Sequence, residues 1–248
     1  MITKTQIENL YGDYFDYYKS ISETNKSFPF FFSFDNAFYD YQKETILVYG
    51  QETFGYPSKH WVIKTNNKNL YFDNTYNFKD CIDINNLCYK LFDFPDLINI
   101  DKSIQKHFNS PFWNFLKELR KQYKREKYNL IWSNLIKFDI NGKRIDEDII
   151  KKLGKKFIEE HTEILNKEIN FINPEKIIIL GKQKDKNTIY NKILLNTISS
   201  NFPSSIINDY INVDKFNKIY HISHPNYLNR NKQKPIDIIN KIILNPNK

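Results

Sequence analysis

Three stretches of this 248-residue chain end apolar runs with side chains able to do chemistry. TILVYG (45–50) is followed by Gln51, Glu52 and Thr53; YNLIWS (128–133) by Asn134; and KIYHIS (218–223) by His224, Pro225 and Asn226. A carboxylate only accepts hydrogen bonds, a carboxamide both donates and accepts, and a neutral imidazole does one of each. Brought together from three strand ends, they would form a constellation of the kind enzymes use for acid–base and electrostatic work. Each residue also has a structural alternative. Glu52 could cap a helix, and Asn134 or His224 could simply make a turn. Their convergence therefore carries the expectation, not any one of them.

Convergence requires a scaffold. Four short runs rich in β-branched residues, 45–50, 128–134, 176–181 and 218–224, alternate with helical patterns. One helix is predicted from Pro111 through RKQYKREK (120–127), whose basic run reads as a solvated face, with a DNA contact as the alternative. A second carries the apolar stripe Ile145, Ile149, Leu153, Phe157, Ile164 and Ile169; a third opens at Pro235 and stops at Asn245-Pro246. This alternation predicts an α/β fold: a three-layer αβα sandwich around a central four-stranded parallel sheet. Ligands of such sheets sit beyond the carboxyl ends of the strands, where the three chemical stretches lie. Ile7, Leu10, Tyr11, Tyr14, Tyr18 and Ile21 predict an opening amphipathic helix. The aromatic stretch SFPFFFSFDNAFYDY (27–41) after it reads as a core-capping loop, with one wall of a base pocket as the alternative. Residues 1–44 are thus an N-terminal helical and aromatic extension of one domain spanning 1–248. The Asn- and Lys-rich stretch 64–80 reads as a surface excursion.

Composition narrows the partners. A net charge of +8 with 16% aromatic residues suits nucleic acid, because lysines neutralise phosphates and aromatic faces stack on bases. No secretory leader and no apolar run long enough for a bilayer is found, so a soluble, cytoplasmic protein without a membrane partner is expected. Cys81 and Cys88 are too few for an iron–sulfur cluster, and the five histidines include no pair at a recognised ligand spacing. No metal and no cofactor are expected. His161, on the apolar stripe, reads as a core residue; His60, His107 and His221 are given no role. Tyr56 and Trp61 read equally as pocket mouth or core.

Taken in order, the motifs resemble the uracil-DNA glycosylase superfamily. Gly50-Gln51-Glu52-Thr53-Phe54 resembles its G-Q-D-P-Y turn, LIWSNLIKF (130–138) its base-reading strand with Asn134 at the reading position, and NPEKIIILG (173–181) its third strand. His224-Pro225-Asn226-Tyr227-Leu228 resembles its H-P-S-x-L motif. The similarity runs from about Thr45 to Arg230.

That resemblance implies a monomeric, monofunctional DNA glycosylase, with DNA as partner and a flipped nucleotide in the site. Glu52 would place the attacking water and stabilise the sugar cation, and His224 would hydrogen-bond the base carbonyl as it gains charge. Gln51, Phe54 and Asn134 would bind the base. Asn226, Leu228, Arg230 and Lys232 would contact DNA, with Leu228 as the wedge that fills the vacated stack. Glu52 is one methylene longer than the family's aspartate, Thr53 stands for its proline, Phe54 for its tyrosine and Asn226 for its serine. The substrate is accordingly uracil or a modified pyrimidine, in a repair or an anti-phage setting. A catalytically silent nucleic-acid-binding module of the same fold is the competing expectation.

Overall fold

The computed structural model describes residues 3–23, 25–32, 40, 42–52, 75–93, 109–122, 128–181, 192–194, 196–197, 211–213 and 219–244. Its elements in chain order are α1 (Lys4–Ser20), β1 (Glu44–Glu52), α2 (Phe78–Asp93), α3 (Pro111–Gln122), β2 (Tyr128–Ile136), α4 (Glu147–Ile172), β3 (Lys176–Leu180), β4 (Ile211–Val213), β5 (Ile219–Ile222), α5 (Pro225–Arg230) and α6 (Pro235–Leu244).

Unbroken apolar runs make the central strands. Ile46, Leu47, Val48 and Tyr49 are all buried, as are Ile177 to Leu180, so both faces of β1 and β3 are covered. That is the signature of a parallel sheet between helical layers. The sheet order is β2-β1-β3-β5-β4. The first four strands are mutually parallel, as expected, and β4 adds an antiparallel edge against β5.

Alternation along β1 and β2 sorts the two faces. Tyr49, Ser133, Leu135 and the following Lys137 face α4, which packs on α1. Trp132 faces the opposite layer, stacked on Tyr89 of α2 with ring centroids 4.4 Å apart and meeting Trp113 of α3 edge-on at 4.7 Å. Aromatic pairs of this kind contribute about 0.5–1.5 kcal/mol each beyond area burial. The Tyr89 hydroxyl also bonds the Trp132 backbone, tying α2 to β2.

The N-terminal segment is built into this frame. Thr3 and Gln6 form a reciprocal capping box that starts α1. Residues 25–30 then run antiparallel to the chain leaving β2, through Ser27 N–H to Asp139 O (2.9 Å), Phe30 N–H to Lys137 O (2.6 Å) and Asn141 N–H to Asn25 O (3.0 Å). Phe28, Phe30, Phe31 and Phe32 are buried. The described part of the aromatic stretch is therefore core, and residues 33–39 and 41 lie outside the described residues.

Between the layers lies a buried polar cluster. Lys137 Nζ is 2.6 Å from both Glu168 oxygens and 2.8 Å from Ser133 Oγ, while Tyr11 and Tyr49 donate their hydroxyls to Glu168 at 3.0 and 2.9 Å. Burial pushes the Glu168 carboxyl up and the Lys137 ammonium down from their ordinary values, and each is drawn back by the other's charge. Nearby, His161 is fully buried, as its place on the stripe predicts. The Phe157 carbonyl can only accept, so His161 Nδ1 donates to it (2.8 Å) and Nε2 accepts from Tyr14 (2.9 Å). Burial lowers this imidazole to about 3.

Three elements escape the sequence patterns. The start of α2 falls inside the supposed surface excursion 64–80, because Asn77 and Asp80 cap each other's backbone N–H at 2.9 and 3.0 Å. Three-residue β4 and six-residue α5 are too short to show a period.

Candidate active site

The carboxyl ends of β2, β1, β3 and β5 stand side by side and deliver Asn134, Gln51-Glu52, Gly181 and His224 to one edge of the sheet. Adjacent strands lie about 4.8 Å apart. With only β3 between them, β1 and β5 run about 10 Å apart. Glu52 is the last residue of β1, and its Cα pairs with that of Ile136. Thr53, Phe54, Tyr56, His60, Trp61 and His107 lie outside the described residues.

His224 is positioned by the helix that it starts. Pro225 occupies the first position of α5, and the Asn226 backbone N–H donates to His224 Nδ1 at 3.2 Å. A backbone N–H can only donate, so Nδ1 accepts and the proton of the neutral ring sits on Nε2. Burial, and then the nearby charge of Arg144, lower the pKa of this half-buried imidazole. Its neutral form is thereby favoured at neutral pH. The result is a fixed donor with a defined tautomer.

Gly50 makes room on the other side. It pairs with Asn134 across β1 and β2, and a Cβ on it would lie 2.4 Å from Asn134 Oδ1 and 3.2 Å from Phe112 Cε2. The carboxamide and the ring therefore rest over bare backbone. Gly50→Ala is expected to rotate Asn134 away while leaving the fold intact, since only a side-chain tip must move. The expected outcome is a melting temperature within a few degrees of wild type, read by thermal melts, with the Asn134 side chain turned from its place over Gly50.

Gln51 is placed differently from a simple base-binding side chain. Its Nε2 donates to Gly181 O at 2.7 Å, so its amide braces the ends of β1 and β3. Gly181 is held at φ +135°, and a Cβ there would fall 2.2 Å from Gln51 Cγ. Only glycine fits.

The wedge expectation requires correction. Leu228 is 1% exposed because α5 packs on α3 and turns this side chain into the core. As placed, it is not available to a base stack. Asn226, Arg230 and Lys232 are exposed on α5 and the turn after it, and Tyr227 is the exposed large apolar residue of the described chain. Three residues at this edge have no role in the sequence reading: Phe112 beside Gly50, Arg144 near His224, and Tyr227. Phe112 and Arg144 are distant from the motifs in sequence. Tyr227 was legible only as the variable position of the last motif.

Among the described residues, no group of three or more His, Cys, Asp or Glu could hold a metal ion, and no helix is long and apolar enough to cross a membrane. A family model described as the uracil DNA glycosylase superfamily matches residues 101–243, more than half of the chain. The matched region holds Asn134 and the His224–Lys232 segment; Gly50, Gln51 and Glu52 precede it. No curated protein and no solved structure matches the chain.

Proposed function

The chain belongs to the uracil DNA glycosylase superfamily, and from that premise we propose that it hydrolyses the N-glycosidic bond of uracil or a modified pyrimidine in DNA, leaving an abasic site. The observation that carries this is the His224 imidazole, held with Nδ1 accepting from Asn226 N–H and Nε2–H as donor, at the same sheet edge as the end of β1.

The reaction separates charge. The base leaves with the bonding electrons as an anion, and the deoxyribose becomes oxocarbenium-like. In this proposal the Glu52 carboxylate stabilises the sugar cation and orients the water that bonds to C1′, taking up the proton the water releases. His224 Nε2–H donates to the base carbonyl oxygen as negative charge grows there. A heterocyclic anion leaves without an acid to protonate it, so one carboxylate suffices where an ordinary glycosidase needs two. Asn134, whose carboxamide both donates and accepts, reads the ring edge beside Phe112. Gln51 holds the strand ends that frame the base, and Phe54, three residues further along the sequence, contacts the base. Asn226, Arg230 and Lys232 meet the DNA backbone.

No step requires a metal or a cofactor. The protein acts as a cytoplasmic monomer, in base-excision repair or against modified phage DNA. The sequence presents no lysine nucleophile in the motifs, so the enzyme leaves the abasic strand intact.

Oligonucleotides containing uracil or individual modified cytosines, incubated with wild-type protein and then treated with alkali, test the reading. Strand scission at one defined base is expected. Binding of every substrate with scission of none would instead identify a non-catalytic module. A borohydride-trapped protein–DNA adduct would overturn the monofunctional mechanism.

A further inference from the structure

We infer that Tyr227 is the side chain that enters the base stack when a nucleotide turns into the cleft, an inference that rests on the proposed function and deepens it. Extruding a base leaves a gap in the duplex, and proteins that open duplexes commonly fill such a gap with a large apolar side chain. Among the described residues, Tyr227 is the large apolar side chain that stands out from the surface, 38% exposed against 1% for Leu228.

Its placement suits the task. Tyr227 lies three residues after His224, and its N–H donates to His224 O at 2.8 Å, so it stands about one helical turn from the imidazole. Arg230 follows at the next three-residue step on the same face and is exposed, as are Asn226, Lys232 and Lys234 around it. The segment that carries the ring thus also carries exposed cations, the pairing that suits a stacked base beside its phosphates.

The mount is rigid. Asn231 donates its backbone N–H and its Nδ2 to Tyr227 O at 3.1 and 2.8 Å, and Gln233 N–H bonds Leu228 O at 2.9 Å. The buried Leu228 anchors the helix while its neighbour points outward. The motif's leucine has become the anchor, and the preceding residue carries the exposed ring.

The test uses duplex and single-stranded oligonucleotides with a stable abasic analogue next to 2-aminopurine, whose emission reports stacking by an inserted ring. Affinity and emission are measured for wild type, Tyr227→Ala, Tyr227→Phe and Leu228→Met. Tyr227→Ala is expected to bind the duplex roughly tenfold more weakly, within the range of base–aromatic stacking, and to lose the emission change. Tyr227→Phe should retain both, which shows that α5 still folds around an altered residue 227. Binding of the single strand should fall less, because it has no gapped duplex to refill. Duplex binding by Tyr227→Ala within twofold of wild type, or loss of the emission change in Leu228→Met but not in Tyr227→Ala, would overturn the inference. Both readouts are of binding, so they answer separately from whether any base is released.

Discussion

His224→Ala is expected to release base roughly 10²–10³-fold more slowly than wild type, the usual effect of removing one preorganised donor from a developing anion. The loss should fall on the chemical step under single-turnover conditions, with DNA affinity nearly unchanged. The pH profile adds a sharper criterion. Protonating His224 would put a hydrogen on Nδ1, where the Asn226 N–H already donates, so the imidazolium must break its own helix cap. Burial and Arg144 lower its pKa from the usual 6.5. The working form is therefore neutral, and the rate should be flat above about pH 6.5, declining only as acid reaches the lowered value. Stability follows the same sign. Below about pH 6.5 the unfolded chain takes up a proton that the folded imidazole resists, so this contribution is present at neutral pH and lost on acidification. A rate that rose as His224 became protonated would show that the imidazolium works instead. The companion variant Glu52→Ala should also lose single-turnover release; release by it at the wild-type rate would remove Glu52 from the mechanism.

Lys137→Met is expected to destabilise the fold by about 3–5 kcal/mol, because it strands a carboxylate in a dry interior. Lys137 and Glu168 are both 0% exposed. Without the ammonium, Tyr11 and Tyr49 still donate to Glu168, but no cation balances it. The raised pKa of Glu168 should rise further, so at lower pH the variant regains part of its loss relative to wild type as the carboxyl neutralises. Adding Glu168→Gln should restore most of the stability, since an amide accepts from the tyrosines without charge. Urea midpoints of the two single variants, the double variant and wild type measure this. Double-variant stability no better than that of Lys137→Met would show that the ion pair, and not relief of stranded charge, holds the core.

The same pair joins β2 to α4 and, through Tyr11, to α1, so its disruption should loosen the N-terminal segment first. Hydrogen exchange in residues 4–20 and 25–32 would report it.

Much of this architecture was legible in the chain. Four β-branched runs became the four parallel strands, with ends displaced by no more than two residues. The stripe from Ile149 to Ile169 became α4, with Ile145 just before its N-cap Asp146 and a kink at Gly154 (φ +71°), and His161 on it is core. Burial on both faces of a strand, or on one face of a helix, writes a period into the sequence, and a period can be read locally. The family was legible for a related reason: the motifs occupy strand ends, whose order along the chain follows from the topology.

The fine geometry of the site was not legible in this way. Leu228 matches a motif and is buried, while Tyr227 is exposed; both are apolar, and only the docking of α5 on α3 distinguishes them. Gly50 needs its missing side chain because Asn134 and Phe112, from two other elements, converge on it. Arg144 acts on His224 across 80 residues of sequence.

By itself the sequence determined which segments become strands and helices, and which side chains the strands carry to their ends, because periodicity and turn chemistry act over a few neighbouring residues. Only the tertiary structure decided which tautomer His224 holds, which α5 residue meets solvent and how Lys137 finds Glu168. Those outcomes depend on contacts between elements far apart in the chain, and no local pattern encodes them.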